Sequence, residues 1–286
     1  MDIGIGLPAT IPDAQARQVL GWARAAESHG FSSLGVIDRL VYGNWEPLVA
    51  LTAAAAVTER IKLMSTIAIV PYRANAALLA KQAATIDHLS EGRLVLGVAV
   101  GGREDDYKAS GVPFGERGRR FEAMLDEMQA VWAGEARGFA GAIGPRPPRG
   151  RPGMLMGGTT EKAFERAARY ADGWIAGGGG AEMFAPGAEA ARATWSKQGR
   201  EGAPRLAALG YFALGPDARE HADRYLHDYY GFLGPWADRI AESALVEPPA
   251  IRDAMAQFEQ AGCDELVLFP CNPDPAQVEA LADVVR

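Results

Sequence analysis

Short runs of apolar residues alternate with longer segments of helical amphipathic pattern along the whole chain. Strands are predicted at eight apolar runs, residues 3–7, 33–37, 61–70, 94–99, 154–156, 173–176, 206–212 and 265–269. Helices are predicted between and after them, at residues 13–29, 47–58, 75–89, 117–132, 161–170, 183–198, 218–230, 235–243, 249–260 and 275–284. Strands that alternate with helices indicate repeated βαβ units and a parallel sheet.

The connections in this pattern are of two kinds. Gly30, Gly92 and Gly262 each end a helical segment just before a strand, where glycine adopts the left-handed conformation without steric cost, so these connections are short. The strand-to-helix connections are longer, notably residues 101–116 and 177–182. In a TIM barrel such loops build the functional face at the C-terminal ends of the strands. We therefore expect an α/β fold, a (β/α)8 TIM barrel with insertions in the C-terminal-face loops, as one domain over residues 1–286.

A doubly wound Rossmann sheet is the competing fold. Residues 4–9 formally match the dinucleotide pattern G-x-G-x-x-A, but in that motif the glycines follow a strand and open a helix. Here Gly4 and Gly6 lie inside the first predicted strand. We interpret them as glycines that permit close packing or the approach of a ligand.

The charge balance and the cysteine content argue against several classes of function and structure. The chain has 29 Lys and Arg against 36 Asp and Glu residues, a formal net charge of −7, which disfavours binding to nucleic acid or anionic lipid. Its two cysteines form no disulfide framework or CxxC motif. The chain begins without a basic segment ahead of an apolar stretch and has no run of about 18 apolar residues, so we expect a cytoplasmic protein that does not contact the membrane.

Common catalytic motifs are missing. The chain has no G-x-S-x-G, HExxH or P-loop sequence, and its four histidines suggest no metal site. An organic cofactor is therefore the natural carrier of the chemistry. Gly157, Gly158 and Thr159 form the best anion-site candidate, because a strand leads there through glycines into the N-terminus of a helix. An ordinary capped turn explains the same residues equally well.

Polar residues at two other strand ends are further candidates. Asp38 follows the second strand, where it either faces a ligand or forms an internal ion pair with a neighbouring strand or with Arg39. Residues 101–107, with Phe114 beyond them, combine glycines with charged and aromatic residues. This composition is typical of a lid or a pocket wall, and a solvated loop is the alternative.

Several blocks together resemble the bacterial luciferase-like family of flavin- and F420-dependent oxidoreductases, which are TIM barrels. The resemblance lies in residues 25–38, 80–98, 114–122 and 157–174 and returns at 263–269. Its most specific parts are Leu-Ser-Glu-Gly-Arg-Leu at 89–94 and Ala-Asp-Gly-Trp at 171–174.

The resemblance implies that the ring of FMN or F420 lies across the C-terminal mouth of the barrel. It also implies a non-proline cis peptide bond at Thr66–Ile67. Family positions beside the ring or at its phosphate correspond to Asp38, Thr66, Ile67, Val100, Gly101, Gly157, Gly158 and Thr159. FMN would permit hydride transfer or oxygen activation for monooxygenation, whereas F420 would restrict the chemistry to hydride transfer.

Two departures from the family pattern bear on the substrate. Relatives that oxidise a sugar phosphate have a histidine and a glutamate where this chain has Arg39 and Gly102, so we do not predict that activity. Asp38 and Arg39 are the catalytic candidates, and no acid/base pair is assigned. A small-molecule substrate is expected to contact Tyr42, Trp45, Arg103, Tyr107 and Phe114, with Arg39 or Arg103 as the charged contact.

The resemblance also implies partners and leaves alternatives. We expect a homodimer and a separate flavin reductase or F420-reducing enzyme. A non-catalytic flavin-binding protein of the same fold is one alternative. A barrel lyase or isomerase acting on a phosphorylated substrate at Gly157 and Gly158 is the other.

Overall fold

Eight parallel strands close into a barrel in which each strand pairs with its neighbours in sequence and β1 pairs with β8. The structure is a computed structural model and describes residues 1–12 and 14–286. The strands are β1 (Asp2–Gly6), β2 (Ser33–Val36), β3 (Lys62–Ile69), β4 (Leu94–Ala99), β5 (Gly153–Gly157), β6 (Gly173–Ala176), β7 (Arg205–Phe212) and β8 (Glu265–Pro270). The predicted TIM barrel is confirmed.

Helices surround the barrel and connect successive strands. They are α1 (Ala16–Ser28), α2 (Pro47–Ala55), α3 (Ala76–Leu89), α4 (Glu104–Ser110), α5 (Arg117–Ala133), α6 (Glu161–Tyr170), α7 (Ala181–Lys197), α8 (Ala218–Tyr230), α9 (Trp236–Glu242), α10 (Pro248–Gln260) and α11 (Ala276–Val285). Asp13, with which the first predicted helix begins, lies outside the described residues. None of the helices that the structure describes has the length and apolar character needed to span a bilayer.

Helix α4 occupies a segment that sequence analysis treated as a loop. Its first turn contains Glu104, Asp105 and Asp106, whose negative charges are favourable at the positive end of a helix. Gly111 ends the helix with φ +70°. The acidic turn has no apolar periodicity, which is why the sequence pattern did not reveal this helix.

Glycines inside the strands make room for an aromatic ring at the mouth of the barrel. A Cβ atom on Gly6 would lie 2.2 Å from the ring of Phe269, and one on Gly35 would lie 2.7 Å from it. Phe269 is buried and belongs to the cluster that fills the barrel interior. The G-x-G-x-x-A match therefore reflects packing within the barrel and not a dinucleotide motif.

The short helix-to-strand connections have the predicted geometry. Gly30, Gly92 and Gly262 all have positive φ angles, of +82°, +85° and +77°. Each lies two or three residues before the first residue of the strand that follows. The chain thus turns directly from the outer layer into the barrel.

Glu27, near the end of α1, fixes the start of β3. Its carboxylate accepts hydrogen bonds from the backbone N–H groups of Glu59, Arg60 and Ile61, with the shortest contacts at 2.9, 2.5 and 2.9 Å. Burial opposes ionisation, but these backbone donors outweigh it and lower the pKa of Glu27 below its usual 4.5. The charged carboxylate is therefore the form that stabilises the fold.

Replacing Glu27 with glutamine is expected to lower the free energy of unfolding by about 1 kcal/mol at neutral pH, because charge-assisted hydrogen bonds are lost. A lowered native pKa means that the contribution of Glu27 is fully present above pH 4.5 and disappears as the pH falls through the native value. Urea unfolding of the wild type and Glu27→Gln between pH 3 and pH 7 measures this difference. The exposed neighbour variant Glu59→Gln is the control; a Glu27→Gln effect that does not shrink in acid contradicts the assignment.

Candidate active site

Two cavities open at the C-terminal mouth of the barrel and share Gly101 in their walls. The larger has a volume of about 750 Å³ and extends from the end of β4 to the turn between β5 and α6. The smaller has a volume of about 170 Å³ and lies among the ends of β2, β3 and β4, helix α4 and the end of α8. The lining of the smaller cavity comprises Asp38, Ile69, Gly101, Gly102, Arg103, Asp106, Tyr107, Tyr229, Tyr230 and Phe232.

The turn after β5 is held rigidly at one end of the larger cavity. Gly158 has φ +117°, and a Cβ atom there would lie 2.9 Å from the Cβ of Ala163, so this position requires glycine. The Gly158 carbonyl accepts a hydrogen bond of 2.8 Å from the indole of Trp174. The hydroxyl of Thr160 caps helix α6 by accepting from the N–H of Ala163 at 3.3 Å. Gly157, Gly158 and Thr159 thus lie together in the cavity wall.

The wall of the larger cavity also carries positive charge. Of the basic side chains in its wall, Arg166 is paired with Glu122 at 2.7 Å and Arg119 with Glu116 at 3.2 Å. Arg117 and Lys162 also line it, and neither has a carboxylate within ion-pair distance among the described residues. Together with the N-terminus of α6, these charges make the cavity suitable for a phosphate group.

The part of the cavity wall at the end of β4, beside this turn, is apolar. The Thr66–Ile67 peptide bond is cis, as the resemblance implies. Thr66 is buried and its hydroxyl donates to the Val36 carbonyl at 3.0 Å, whereas Ile67 is partly exposed. Val100 and Gly101 line the cavity directly, and a Cβ atom on Gly101 would lie 2.7 Å from the side chain of Ile69. A flat ring system could rest against this wall without meeting a polar side chain.

Asp38 is fully engaged by its neighbours. Its buried carboxylate accepts hydrogen bonds from the N–H of Ile69 at 2.8 Å, the hydroxyl of Tyr72 at 2.5 Å and the guanidinium of Arg73 at 3.0 Å. Burial disfavours the charged form of Arg73, but Asp38 and Glu46 outweigh it and raise the pKa of Arg73. Asp38 therefore forms an internal ion pair while lining the smaller cavity, and its cation is Arg73 and not Arg39.

Arg39 lies in a stack of aromatic rings. Its guanidinium donates to the Tyr229 carbonyl at 2.7 Å and lies 4.3 Å from the centre of the Tyr42 ring and 5.7 Å from that of Phe232. Burial, followed by the charge of Arg103, lowers the pKa of Arg39. The hydroxyl of Tyr42 donates to Asp228. Arg39 and Tyr42 thus support the wall of the smaller cavity from outside its lining.

The other predicted substrate contacts separate into two groups. Arg103 and Tyr107 line the smaller cavity, and the Tyr107 hydroxyl donates to the Val100 carbonyl. Phe114 and Trp45 line neither cavity. Phe114 instead packs against Tyr107 and under the guanidinium of Arg117, and Trp45 packs against the hydrophobic core.

Several residues that line the cavities or hold Asp38 were missed by sequence reasoning. They are Tyr72 and Arg73 beside Asp38; Tyr229, Tyr230 and Phe232 at the end of α8; and Arg117, Arg119, Lys162 and Arg166 in the larger cavity. The run of aromatic residues from 225 to 232, closed by glycines, was the available signal for the α8 group. Among the described residues, no group of three or more His, Cys, Asp or Glu side chains is placed to hold a metal ion.

Comparison with known proteins places this geometry in context. The family described as luciferase-like monooxygenase matches residues 1–268. An uncharacterized protein of Mycobacterium tuberculosis is 33% identical over 218 residues, 65% of this chain and 77% of that protein. An FMNH2-dependent dimethylsulfone monooxygenase of Pseudomonas fluorescens is 30% identical over 176 residues, 56% of this chain and 48% of its own. An F420-dependent glucose-6-phosphate dehydrogenase of Nocardia farcinica is 30% identical over 202 residues, 64% of this chain and 60% of its own.

Solved structures agree on the architecture. An F420-dependent secondary alcohol dehydrogenase superposes with a TM-score of 0.81 and 18% identity, covering 99% of this chain and 98% of that chain. A likeness at this level of identity concerns the fold alone. The relatives as a group include both FMN- and F420-dependent enzymes.

Replacing Asp38 with asparagine is expected to cost about 2 kcal/mol of unfolding free energy, because it leaves the largely buried guanidinium of Arg73 with only the partly exposed Glu46 as its anionic partner. Tyr72→Phe, which removes one hydrogen bond to the same carboxylate, is expected to cost about 1 kcal/mol. Urea unfolding of the cofactor-free proteins measures both. An Asp38→Asn variant as stable as the wild type would show that the ion pair does not support the fold.

Proposed function

The chain belongs to the luciferase-like monooxygenase family, and we propose that it is an oxidoreductase that binds FMN or F420 in the larger cavity and acts on a small organic substrate in the smaller one. The observation that carries this proposal is the larger cavity itself, in whose wall the apolar segment Val100–Gly101 adjoins the 157–160 turn and a group of basic side chains. FMN and F420 have the same division into a flat ring and an anionic tail.

The residues present fit such a cofactor. Ile67, Val100 and Gly101 would hold the ring at the mouth of the barrel. The Gly157–Thr159 turn, with Arg117 and Lys162, would hold the phosphate at the N-terminus of α6. When bound, FMN supplies hydride transfer or oxygen activation, and F420 supplies hydride transfer.

The chain's own contribution is positioning and the exclusion of water. Tyr107 and Tyr229 are buried and Tyr230 is partly buried, and the three give the smaller cavity aromatic walls that meet the larger cavity at Gly101. A substrate bound there lies next to the ring end of the cofactor cavity, and proximity of this kind accounts for much of the rate enhancement in such reactions. The proposal includes a separate reductase that supplies the reduced cofactor, and a homodimeric assembly.

Sugar-phosphate oxidation is not part of the proposal. The position at which the family's sugar-phosphate dehydrogenases carry a glutamate is Gly102, which lines the smaller cavity and brings no side chain to it. Arg39, which stands where those relatives carry a histidine, is stacked among aromatic rings. Asp38 is engaged by three donors, so we assign it a positioning role at the cavity wall.

Titration of the purified protein with FMN, riboflavin and F420, followed by ring fluorescence, tests the proposal. We expect FMN or F420 to bind. If FMN binds, it should bind more tightly than riboflavin, which lacks the phosphate. The double variant Arg117→Gln/Lys162→Gln should bind the phosphorylated cofactor about tenfold more weakly and leave riboflavin unchanged, because it removes charge-assisted contacts to phosphate. The double variant Arg224→Gln/Lys197→Gln, at exposed positions of α8 and α7, controls for the loss of two positive charges.

The outcomes separate the candidates. Failure of both cofactors to bind would overturn the proposal. Binding followed by oxygen consumption in the presence of a reductase indicates monooxygenation, and reduction by substrate without oxygen uptake indicates hydride transfer. A bound cofactor that remains inert towards oxygen, reductants and substrate mixtures would instead support the non-catalytic alternative.

A further inference from the structure

Arg103 presents a guanidinium whose hydrogen-bonding capacity the protein uses only in part. Its Nη2 donates to Asp105 and its Nε lies 3.5 Å from a carboxylate oxygen of Asp106. Nη1 and Nε are buried and have no hydrogen-bond partner among the described residues. Buried donors without partners are costly, and such groups in a cavity wall point to an acceptor supplied by a ligand.

Two guanidinium groups, those of Arg39 and Arg103, share the carboxylates of Asp105 and Asp106, and neither carboxylate is committed to them alone. Both guanidinium groups lie over the ring of Phe232, that of Arg103 at 3.9 Å from the ring centre and that of Arg39 at 5.7 Å. Arg39 has no carboxylate within ion-pair distance in the described part of the chain. Asp106 uses one carboxylate oxygen for the backbone N–H groups of residues 40 and 41. Asp105 is 44% exposed, so its pair with Arg103 is weak and easily exchanged.

A second donor faces the same cavity. Tyr229 lines it and is buried, and its hydroxyl has no hydrogen-bond partner in the described residues, whereas the neighbouring Tyr230 hydroxyl is bonded to that of Tyr211 at 2.6 Å. Burial raises the pKa of Tyr229 well above its usual value, so the phenol remains protonated and can only donate to an anion.

Phe232 covers the guanidinium in this conformation. It belongs to a three-residue 3-10 helix, Gly231–Leu233, which is followed by Gly234 at φ +57°. The ring is 48% exposed, so moving it aside gives up little buried apolar surface. The flanking glycines allow the backbone to adjust.

From these contacts we propose that the smaller cavity is a subsite for an organic carboxylate, which displaces Phe232 and binds the guanidinium of Arg103 and the hydroxyl of Tyr229. This inference rests on the proposed function, since the subsite adjoins the cofactor cavity at Gly101. It assigns the physiological substrate to the class of small carboxylic acids. The volume of about 170 Å³ admits the acid group with a short chain or a single ring.

Isothermal titration with benzoate and with benzamide, its neutral isostere, tests the subsite in the presence and absence of cofactor. The wild type should bind benzoate at least tenfold more tightly than benzamide. Arg103→Gln should lose at least tenfold in benzoate affinity with no change for benzamide, Arg103→Lys should lose less, and Tyr229→Phe should lose several-fold. Phe232→Ala should bind benzoate at least as tightly as the wild type, and Arg224→Gln should behave as the wild type.

Equal binding of benzoate and benzamide, no benzoate binding by the wild type, or unchanged benzoate affinity in Arg103→Gln would each overturn the inference. Cofactor titrations of the same variants separate it from the proposed function. Intact cofactor binding without benzoate discrimination contradicts only the carboxylate subsite. Benzoate discrimination that depends on Arg103 in a protein that binds neither FMN nor F420 contradicts only the proposed oxidoreductase.

Discussion

A buried carboxylate must be paired, and the way Asp38 is paired organises the mouth of this barrel. Its oxygens bind the backbone of Ile69 and the side chains of Tyr72 and Arg73, which joins the end of β2 to the segment that follows β3. Arg120, from α5, holds the same segment on its other side through the carbonyls of residues 71 and 73. The Asp38–Arg73 ion pair therefore helps to position β2, the end of β3 and, through Arg120, helix α5, which contribute to the walls of the two cavities.

The acidic protein concentrates positive charge at two places on this face. One is the part of the larger cavity proposed to bind phosphate, where basic side chains and the N-terminus of α6 act together. The other is the pair Arg39 and Arg103, which lies at a different edge of the mouth and has an aromatic environment. This separation fits a cofactor held by its anionic tail and a substrate held by its own acid group, with the apolar surface between them left for the reaction.

Sequence reasoning succeeded where the signal was local. The glycines at 30, 92 and 262 end helices as expected, and the Gly157–Thr159 turn leads into a capped helix. It failed where the signal depended on distant contacts or on charge alone. Helix α4 has an acidic first turn and no apolar stripe. Phe114 was predicted to belong to a lid or pocket wall because it is aromatic, but its ring packs against the edge of Tyr107 and lines neither cavity.

The order of strands and helices was determined by the sequence itself, because hydrophobic period and glycine caps act within a few residues. Which polar side chains meet was decided only by the tertiary structure. Asp38 pairs with Arg73 although Arg39 is adjacent in sequence, and Arg39 instead reaches the backbone of Tyr229, 190 residues away. Closure of the barrel brings the end of α8 over the ends of β2 and β4, and no local pattern encodes that meeting.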